Sequence, residues 1–404
     1  MTERLSSGLS LRQATWVTRL VFAVNGGLFA SWVSRIPAIQ DDLDASERSL
    51  GFALLFTAVG LILATPFSGR LIARFGTRRV LAVAVVVACL TYPALGWAPD
   101  LVALSAVLLL LGAASGIWDV AMNVAGHAIE VEARRPLMPG FHAGWSIGTV
   151  AGAGYGALAA SAGWTPTVQF ALASAVVGLA TLAVLPSMPD RPGQPDPEDA
   201  AGEHHVPRGA LIRDPRLLSL GILTFFAAWA EGAANDWLAL TLDDDRGASG
   251  AVAALGFAVF AGAMTLGRVA GNGVVERFGR VRTLRVGAVV SMAGVGMLVL
   301  VPSLNVAFVG ALLWGLGIAV AFPLAMSAAG ETPGRGPSAI ATVATLAYTG
   351  FLVGPPLIGT LAQEVGLADS LWVVVALAFG ILVLAGKARE RAGRPGGDDP
   401  VVRG

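Results

Sequence analysis

Charged residues are scarce in this chain: Asp, Glu, Lys and Arg make up 13% of its 404 residues, against roughly 25% in a soluble domain. A surface so poor in charge faces something other than water over most of its area. Cysteine is nearly absent. Cys89 stands alone, so the chain closes no internal disulfide, and its place in an apolar run marks it as a small buried hydrophobe. There is no H-E-x-x-H phrase, no Cys/His cluster and no G-x-x-x-x-G-K-[ST] phrase. Metal catalysis and nucleotide-driven pumping therefore have no support, no cofactor is expected, and a formal net charge of +0 gives no reason to expect a nucleic-acid partner. His204 and His205 lie in a polar stretch and read as solvated side chains.

Apolar sequence fills the space instead: 55% of residues are hydrophobic and the mean hydropathy is +0.70. Crossing a bilayer core takes about 20 apolar residues as a helix. Twelve runs of that kind occur, at 13–34, 48–69, 80–98, 101–128, 138–162 and 166–186, then at 216–241, 250–270, 283–302, 305–328, 338–361 and 366–386. Arg4 and Arg12 before the first run have the look of a secretory signal. With eleven further runs behind it, the first reads as a retained span. Residues 187–215 are rich in Pro, Asp, Glu and Gly without apolar periodicity, so they read as a linker between units 1–186 and 216–404.

Most of the 27 basic residues fall on alternate connections, including Arg74, Arg78 and Arg79, Arg134 and Arg135, Arg208 and Arg213, Arg277, Arg280 and Arg282, Arg335, and Lys387 with the arginines after it. Basic residues are retained on the cytoplasmic side. That places both termini and the linker there and makes the number of spans even. The opposite face carries Asp41, Asp42, Asp44 and Glu47 after the first run and Asp243, Asp244 and Asp245 after the seventh. These clusters are one sign of internal repetition. Leu50-Gly51-Phe52-Ala53 recurs as Leu255-Gly256-Phe257-Ala258, and Gly148 and Gly152 recur as Gly350 and Gly354, each about half a chain length later.

A basic phrase repeats at the same spacing: Gly69-Arg70-Leu71-Ile72-Ala73-Arg74-Phe75-Gly76-Thr77-Arg78-Arg79, then Arg277-Phe278-Gly279-Arg280-Val281-Arg282. The first copy resembles the signature loop of the major facilitator superfamily, and the resemblance extends over residues 13–386. That signature has an acidic residue where Ala73 stands; the second copy supplies Glu276 there, with Asn272 in place of the glycine matching Gly69. The resemblance implies an all-α integral membrane protein of twelve transmembrane helices in two six-helix pseudo-repeats. It implies a secondary transporter rather than an enzyme, a monomer in the cytoplasmic (inner) membrane, with a small molecule, a proton and the lipid bilayer as partners. It also implies a gate, for which Arg74, Glu276 and Arg277 are the candidates, and a cavity lined by spans 1, 4, 7 and 10.

A charge at the bilayer centre costs at least about 2.5 kcal/mol, so ionisable groups inside spans point to function. In the fourth run Asp119, Asn123, His127 and Glu130 share an arc of about 80°, with Gly112 and Gly116 on the same face. Glu130 reads as an interfacial charge. In the seventh, Glu231 and Asn235 lie one turn apart, with Asp236 rotated from them and Trp229 and Trp237 nearby. At about 1.5 Å per residue from Arg216, Glu231 lies roughly 22 Å into a core about 30 Å thick. Asn25, beside Gly26 and Gly27, falls near the midplane. We expect Glu231, Asp119 and His142 to handle the proton and Asn25, Asn123, Asn235, Trp118 and Trp314 to meet the substrate. The plain structural alternatives are helix-joining hydrogen bonds for Asn25 and Asn123 and a permanent ion pair for Glu231, with Arg19 or Arg268 as its partner.

Gly144-Trp145-Ser146-Ile147-Gly148 matches the nucleophile-elbow pattern, which makes a membrane-embedded hydrolase using Ser146, His142 and Asp119 a remote alternative. A hydrolase needs this phrase on a strand-to-helix turn. Close helix packing through Gly144, Gly148 and Gly152 is the expected role instead, and His142 is placed to pair with Asp119. The stretches Trp118 to Asn123 and Phe141 to Ser146 resemble a bacterial permease branch near the fucose-permease type of sugar/proton symporter, which implies a polar, sugar-like substrate. Export of amphiphilic drugs or secondary metabolites is the alternative. Exporters of the superfamily carry Gly-x-x-x-Gly-Pro in the fifth span, whereas here Gly350-x-x-x-Gly354-Pro355-Pro356 falls in the eleventh.

Overall fold

The computed structural model describes residues 10–133, 137–190, 214–332 and 336–389. Arg4, Arg134, Arg135, Arg335, His204, His205, most of the expected linker and the last basic tail residues lie outside the described residues, as does the side chain of Asn272. Helix accounts for nearly all of the rest. The first-half helices are α1 (Leu11–Val33), α2 (Ile36–Asp42), α3 (Glu47–Phe75), α4 (Thr77–Leu95), α5 (Leu101–Ala133), α6 (Met138–Ser161) and α7 (Pro166–Val184). The second-half helices are α8 (Pro215–Asp244), α9 (Gly250–Phe278), α10 (Arg280–Leu300), α11 (Leu304–Ile318), α12 (Ala321–Gly330), α13 (Gly336–Val365), α14 (Leu367–Ser370) and α15 (Trp372–Leu384).

Among the described residues ten helices are long and apolar enough to cross a membrane, and the bent pair α1 and α2, angled by 40°, makes eleven. The remaining run is α6. Its 24 residues reach about 36 Å, but Gly, Ser, His and Trp dilute its apolar content. Its neighbours explain why that is tolerated, because α6 packs along α1 on one side and α9 on the other. A Cβ on Gly148 would strike the Ala23 carbonyl, one on Gly152 the Gly27 carbonyl, and one on Gly144 would lie 3.1 Å from the Arg19 carbonyl. The four-residue glycine spacing thus brings two backbones together, as expected. In the second half Gly350 and Gly354 do the same for α13 on α8: their Cβ positions lie 2.7 Å from the Phe225 carbonyl and 2.8 Å from the Trp229 ring.

The repeated Phe-Gly phrase forms the same turn twice. Gly76, at φ 83° and ψ 155°, ends α3 and starts α4, and Gly279, at φ 76° and ψ 157°, does so between α9 and α10. Positive φ is cheap only for glycine. The long α5 carries past its apolar part to Glu130, whose carboxylate accepts the N–H groups of Leu137 (2.6 Å) and Met138 (2.7 Å) and so caps the start of α6. The interfacial charge expected there is an N-terminal cap.

The halves meet near the acidic end. There α3 packs on α13, α6 on α9, and α2 on α8. A Cβ on Gly51 would strike the Pro355 carbonyl and one on Gly359 the Glu47 carbonyl, while the Trp237 ring lies against both glycines. Arg48 and Glu364 pair at 2.9 Å, joining α3 to α13. Between described residues no hydrogen bond or ion pair joins the halves at the Arg-rich end. The pair is largely solvated, so it contributes about 1 kcal/mol at most. Arg48→Ala should therefore shift the population toward opening at the acidic end by about fivefold at most. Spin labels on Asp44 and Gln363 would register that as added weight at the longer distance.

Candidate substrate and coupling site

Polar groups of six helices, α1, α5, α6, α8, α9 and α13, gather between the halves. Glu231 of α8 accepts both of its bonds from Arg268 of α9, with Nη2 at 3.1 Å from Oε1 and 3.0 Å from Oε2. Both side chains are half-buried, 17% and 30% exposed. Arg268 also turns its Nε toward the Ala319 carbonyl at 3.4 Å. That carbonyl sits where the tenth span breaks into α11 and α12, so one guanidinium ties Glu231 to a helix break. His142, exposed on α6 of the other half, stands close enough to Arg268 to feel its charge. Of the two arginines considered for Glu231, Arg268 is the partner. Arg19 instead lies over the Trp16 ring at 5.2 Å, close to Gly140.

Asp119 faces the same space from α5. Asn123, one turn on, donates to its carboxylate at 3.1 Å and to its backbone carbonyl at 2.8 Å. No cation pairs with Asp119 among the described residues. Across the gap, exposed Tyr348 of α13 lies within electrostatic reach of it. His142 does not pair with Asp119 as expected; its ring packs edge-on against Phe22 at 5.3 Å, because α6 aims it at α1 and α9. Asn25 accepts a hydrogen bond from the Trp145 indole at 3.0 Å, and Asn235 and Asp236 are half-buried on α8.

The two tryptophans expected to meet substrate are placed in packing. Trp118 is 1% exposed, and Trp314 is 0% exposed and edge-on to Phe260 at 5.5 Å. Each indole fits the gap between tightly packed helices, leaving its face turned from the open space. The gating candidates are exposed at the Arg-rich end. Arg74 lies over Phe75 at 5.2 Å and Arg277 over Phe278 at 5.5 Å, and Glu276 makes no ion pair with a described residue. The buried charge contact beside that loop belongs to Arg280, which bonds Glu331 at 2.7 Å and the Ala388 carbonyl at 3.2 Å.

The sequence pattern assigns no site role to Tyr348 or to Trp145, whose indole bonds Asn25. Tyrosine occurs only 3 times in the chain, and one placed mid-span was the available signal for Tyr348. The hydrolase arrangement is not assembled. Gly144 to Gly148 lie inside the continuous helix α6, and Ser146 is buried with no hydrogen bond to His142 among the described residues.

Repeated bundles of apolar, span-length helices, joined near the acidic end and carrying an ion pair within the spans, define a multi-pass membrane protein of the transporter class. The chain belongs to the major facilitator superfamily: the family model of that description matches residues 16–336 and 220–396. An uncharacterized MFS-type transporter of Yersinia pestis is 34% identical over 92% of this chain and 94% of its own length. The membrane protein MosC of Rhizobium meliloti is 28% identical over 93% and 90%. Among solved structures, a D-xylose-proton symporter superposes with a TM-score of 0.76 at 15% identity, covering 93% of this chain and 97% of its own. A mutant of the nucleoside transporter NupG gives 0.75 at 14%, covering 93% and 98%. At such identities these two likenesses concern the fold alone.

Proposed function

We propose that this chain is a proton-coupled secondary transporter that carries a small polar, sugar-like metabolite across the cytoplasmic membrane by alternating access. Units 1–186 and 216–404 rock about the space between them. Contacts between the halves gather toward the acidic end, which supports an inward-facing state with the arginine-rich end cytoplasmic under the positive-inside rule. The observation that carries the reading is the Glu231–Arg268 pair, in which one guanidinium nitrogen meets both carboxylate oxygens, held in the span region beside His142 of the opposite half. Protonating Glu231 removes the charge that fixes Arg268. The freed guanidinium then has the substrate, the Ala319 carbonyl and the helix break as alternatives, which links proton arrival to a change in shape.

Asp119 is the second proton carrier. It has Asn123 but, among the described residues, no cation beside it, and Tyr348 of the other half lies within electrostatic reach of it. Asn25, Asn123, Asn235 and the Trp145 and Tyr348 rings give hydroxyl-rich substrates hydrogen bonds and flat apolar faces. The D-xylose-proton symporter among the fold neighbours carries out chemistry of this kind.

Reconstituted protein should concentrate its substrate when an inward proton gradient is imposed and lose the gain when a protonophore is added. A thermal-shift screen of the purified protein identifies the substrate first, because a ligand of the folded state stabilises it by RT ln(1 + [L]/Kd). Shifts with sugars and related polyols support the reading. Shifts confined to cationic amphiphiles would sink it. With the substrate in hand, Asp119→Asn should flatten the pH dependence of uptake while leaving the protein folded.

A further inference from the structure

Two cavities adjoin on the second half at the Arg-rich end. The first, about 380 Å³, is walled by Phe278, Gly279, Arg280, Arg282, Arg285 and Arg389. The second is a groove of about 540 Å³ between α9 and α10, backed by Leu316 and Gly317 of α11, and Phe278 and Arg282 belong to both cavities. The groove's exposed walls are apolar: Leu266 is 66% exposed and Val286 56%. Leu266 and Ala270 lie about 200° around α9 from Arg268, turned from the central space toward the bilayer. An arginine pocket at the membrane surface therefore opens directly into an apolar channel along the membrane side.

The internal repeat shows what such a turn holds. In the first half a Cβ on Gly76 would lie 2.8 Å from Asp190 Oδ1, and the same oxygen accepts the Arg78 N–H at 3.2 Å. The chain's own anion sits over the start of α4, where exposed N–H groups and the helix dipole favour negative charge. The start of α10 has the same Gly279 backbone turn, yet no described residue stands within 4 Å of its Cβ position. Among the described residues no carboxylate pairs with Arg282, Arg285 or Arg389. Arg280, 7% exposed, leaves its buried Nε without an acceptor.

We propose that these cavities bind one anionic phospholipid of the surrounding membrane. Its head-group phosphate lies over the start of α10, as Asp190 lies over the start of α4, among Arg280, Arg282, Arg285 and Arg389. One acyl chain follows the groove between α9 and α10. Basic pockets between transmembrane helices are suited to anionic head groups. The groove sets the occupant apart from a free anion, because only a lipid fills both spaces.

The test is titration of delipidated protein in neutral detergent with phosphatidylglycerol, phosphatidylcholine or inorganic phosphate, read by native mass spectrometry and thermal shift. Phosphatidylglycerol should bind more tightly than either alternative. The double variant Arg282→Gln/Arg285→Gln should bind it roughly 30-fold more weakly, and Val286→Trp, which fills the groove, should weaken it as well. Arg70→Gln/Arg79→Gln, two exposed arginines of the first half, should leave it unchanged. Equal binding of phosphatidylcholine, or no loss in the Arg282/Arg285 variant, overturns the proposal. So does phosphate binding as tight as the lipid's, which would mark a soluble-anion site. Binding that emerges only after removal of residues 390–404 would show the chain's own tail as the occupant and would overturn the proposal too.

Discussion

Glu231→Gln should leave a protein that exchanges substrate but no longer concentrates it. Glutamine imitates the protonated carboxyl, so the variant holds one of the two charge states for good. One proton per substrate allows about tenfold accumulation for each pH unit of gradient; the variant should fall to equal concentrations inside and out. Substrate counterflow, which needs no proton step, should persist. The substitution also strips Arg268 of its two acceptors. Losing one partner of a fully buried pair costs about 3–5 kcal/mol, and the partial exposure of this one brings the expected loss to about 2–3 kcal/mol. Glu231→Gln/Arg268→Gln should recover much of that stability and none of the accumulation. This double variant separates a coupling pair from a strut, because a strut's function would return with its stability. Gradient-driven accumulation that survives in Glu231→Gln would remove Glu231 from the coupling role.

The sequence made the spans and their repetition legible because both rest on local properties. Run length, alternation of basic connections and the Phe-Gly turn each depend on a few adjacent residues. The polar arc of α5 was legible for the same reason: helical spacing alone puts Asp119 and Asn123 one turn apart, and they do bond. Contacts between helices were harder to read. Glu231 and Arg268 lie on separate helices, and the sequence offered Arg19 equally as a partner. The choice is made by how α8 and α9 pack. Tyr348 comes within electrostatic reach of Asp119 only through the approach of two halves, so no local pattern encodes it. Trp314 misled for a related reason. An aromatic side chain on a cavity-lining span is as useful in packing as in binding, and here the ring is turned against Phe260. The gating candidates Glu276 and Arg277 lie exposed at the Arg-rich end, and a contact that forms only in another conformation leaves no trace in this one.

Gly148→Val should be the most damaging single change to the fold. Its added carbons meet the Ala23 carbonyl, and backbone cannot swing aside as a long side chain would. The helices α1 and α6 must separate along a contact that Gly144 and Gly152 share, at a cost of about 3 kcal/mol or more. Gly154→Ala is the control on the same helix. Nothing lies within 4 Å of its Cβ position, so it should be neutral or stabilise by up to about 1 kcal/mol through helix propensity. The contrast bears on mechanism as well as stability. Within the first half α6 meets α1 backbone to backbone, whereas on α9 of the other half the nearest atom to the Gly262 Cβ position is Val150 Cγ2 at 3.9 Å. A fitted contact on one side and an ordinary van der Waals contact on the other let α6 travel with α1 while it slides past α9. Thermal unfolding of the two purified variants checks the first claim. For the second, spin labels at the exposed Leu20 of α1 and Ile147 of α6 test rigidity: if their separation changes when substrate is added, α1 and α6 move against each other and the division of labour proposed for α6 is wrong.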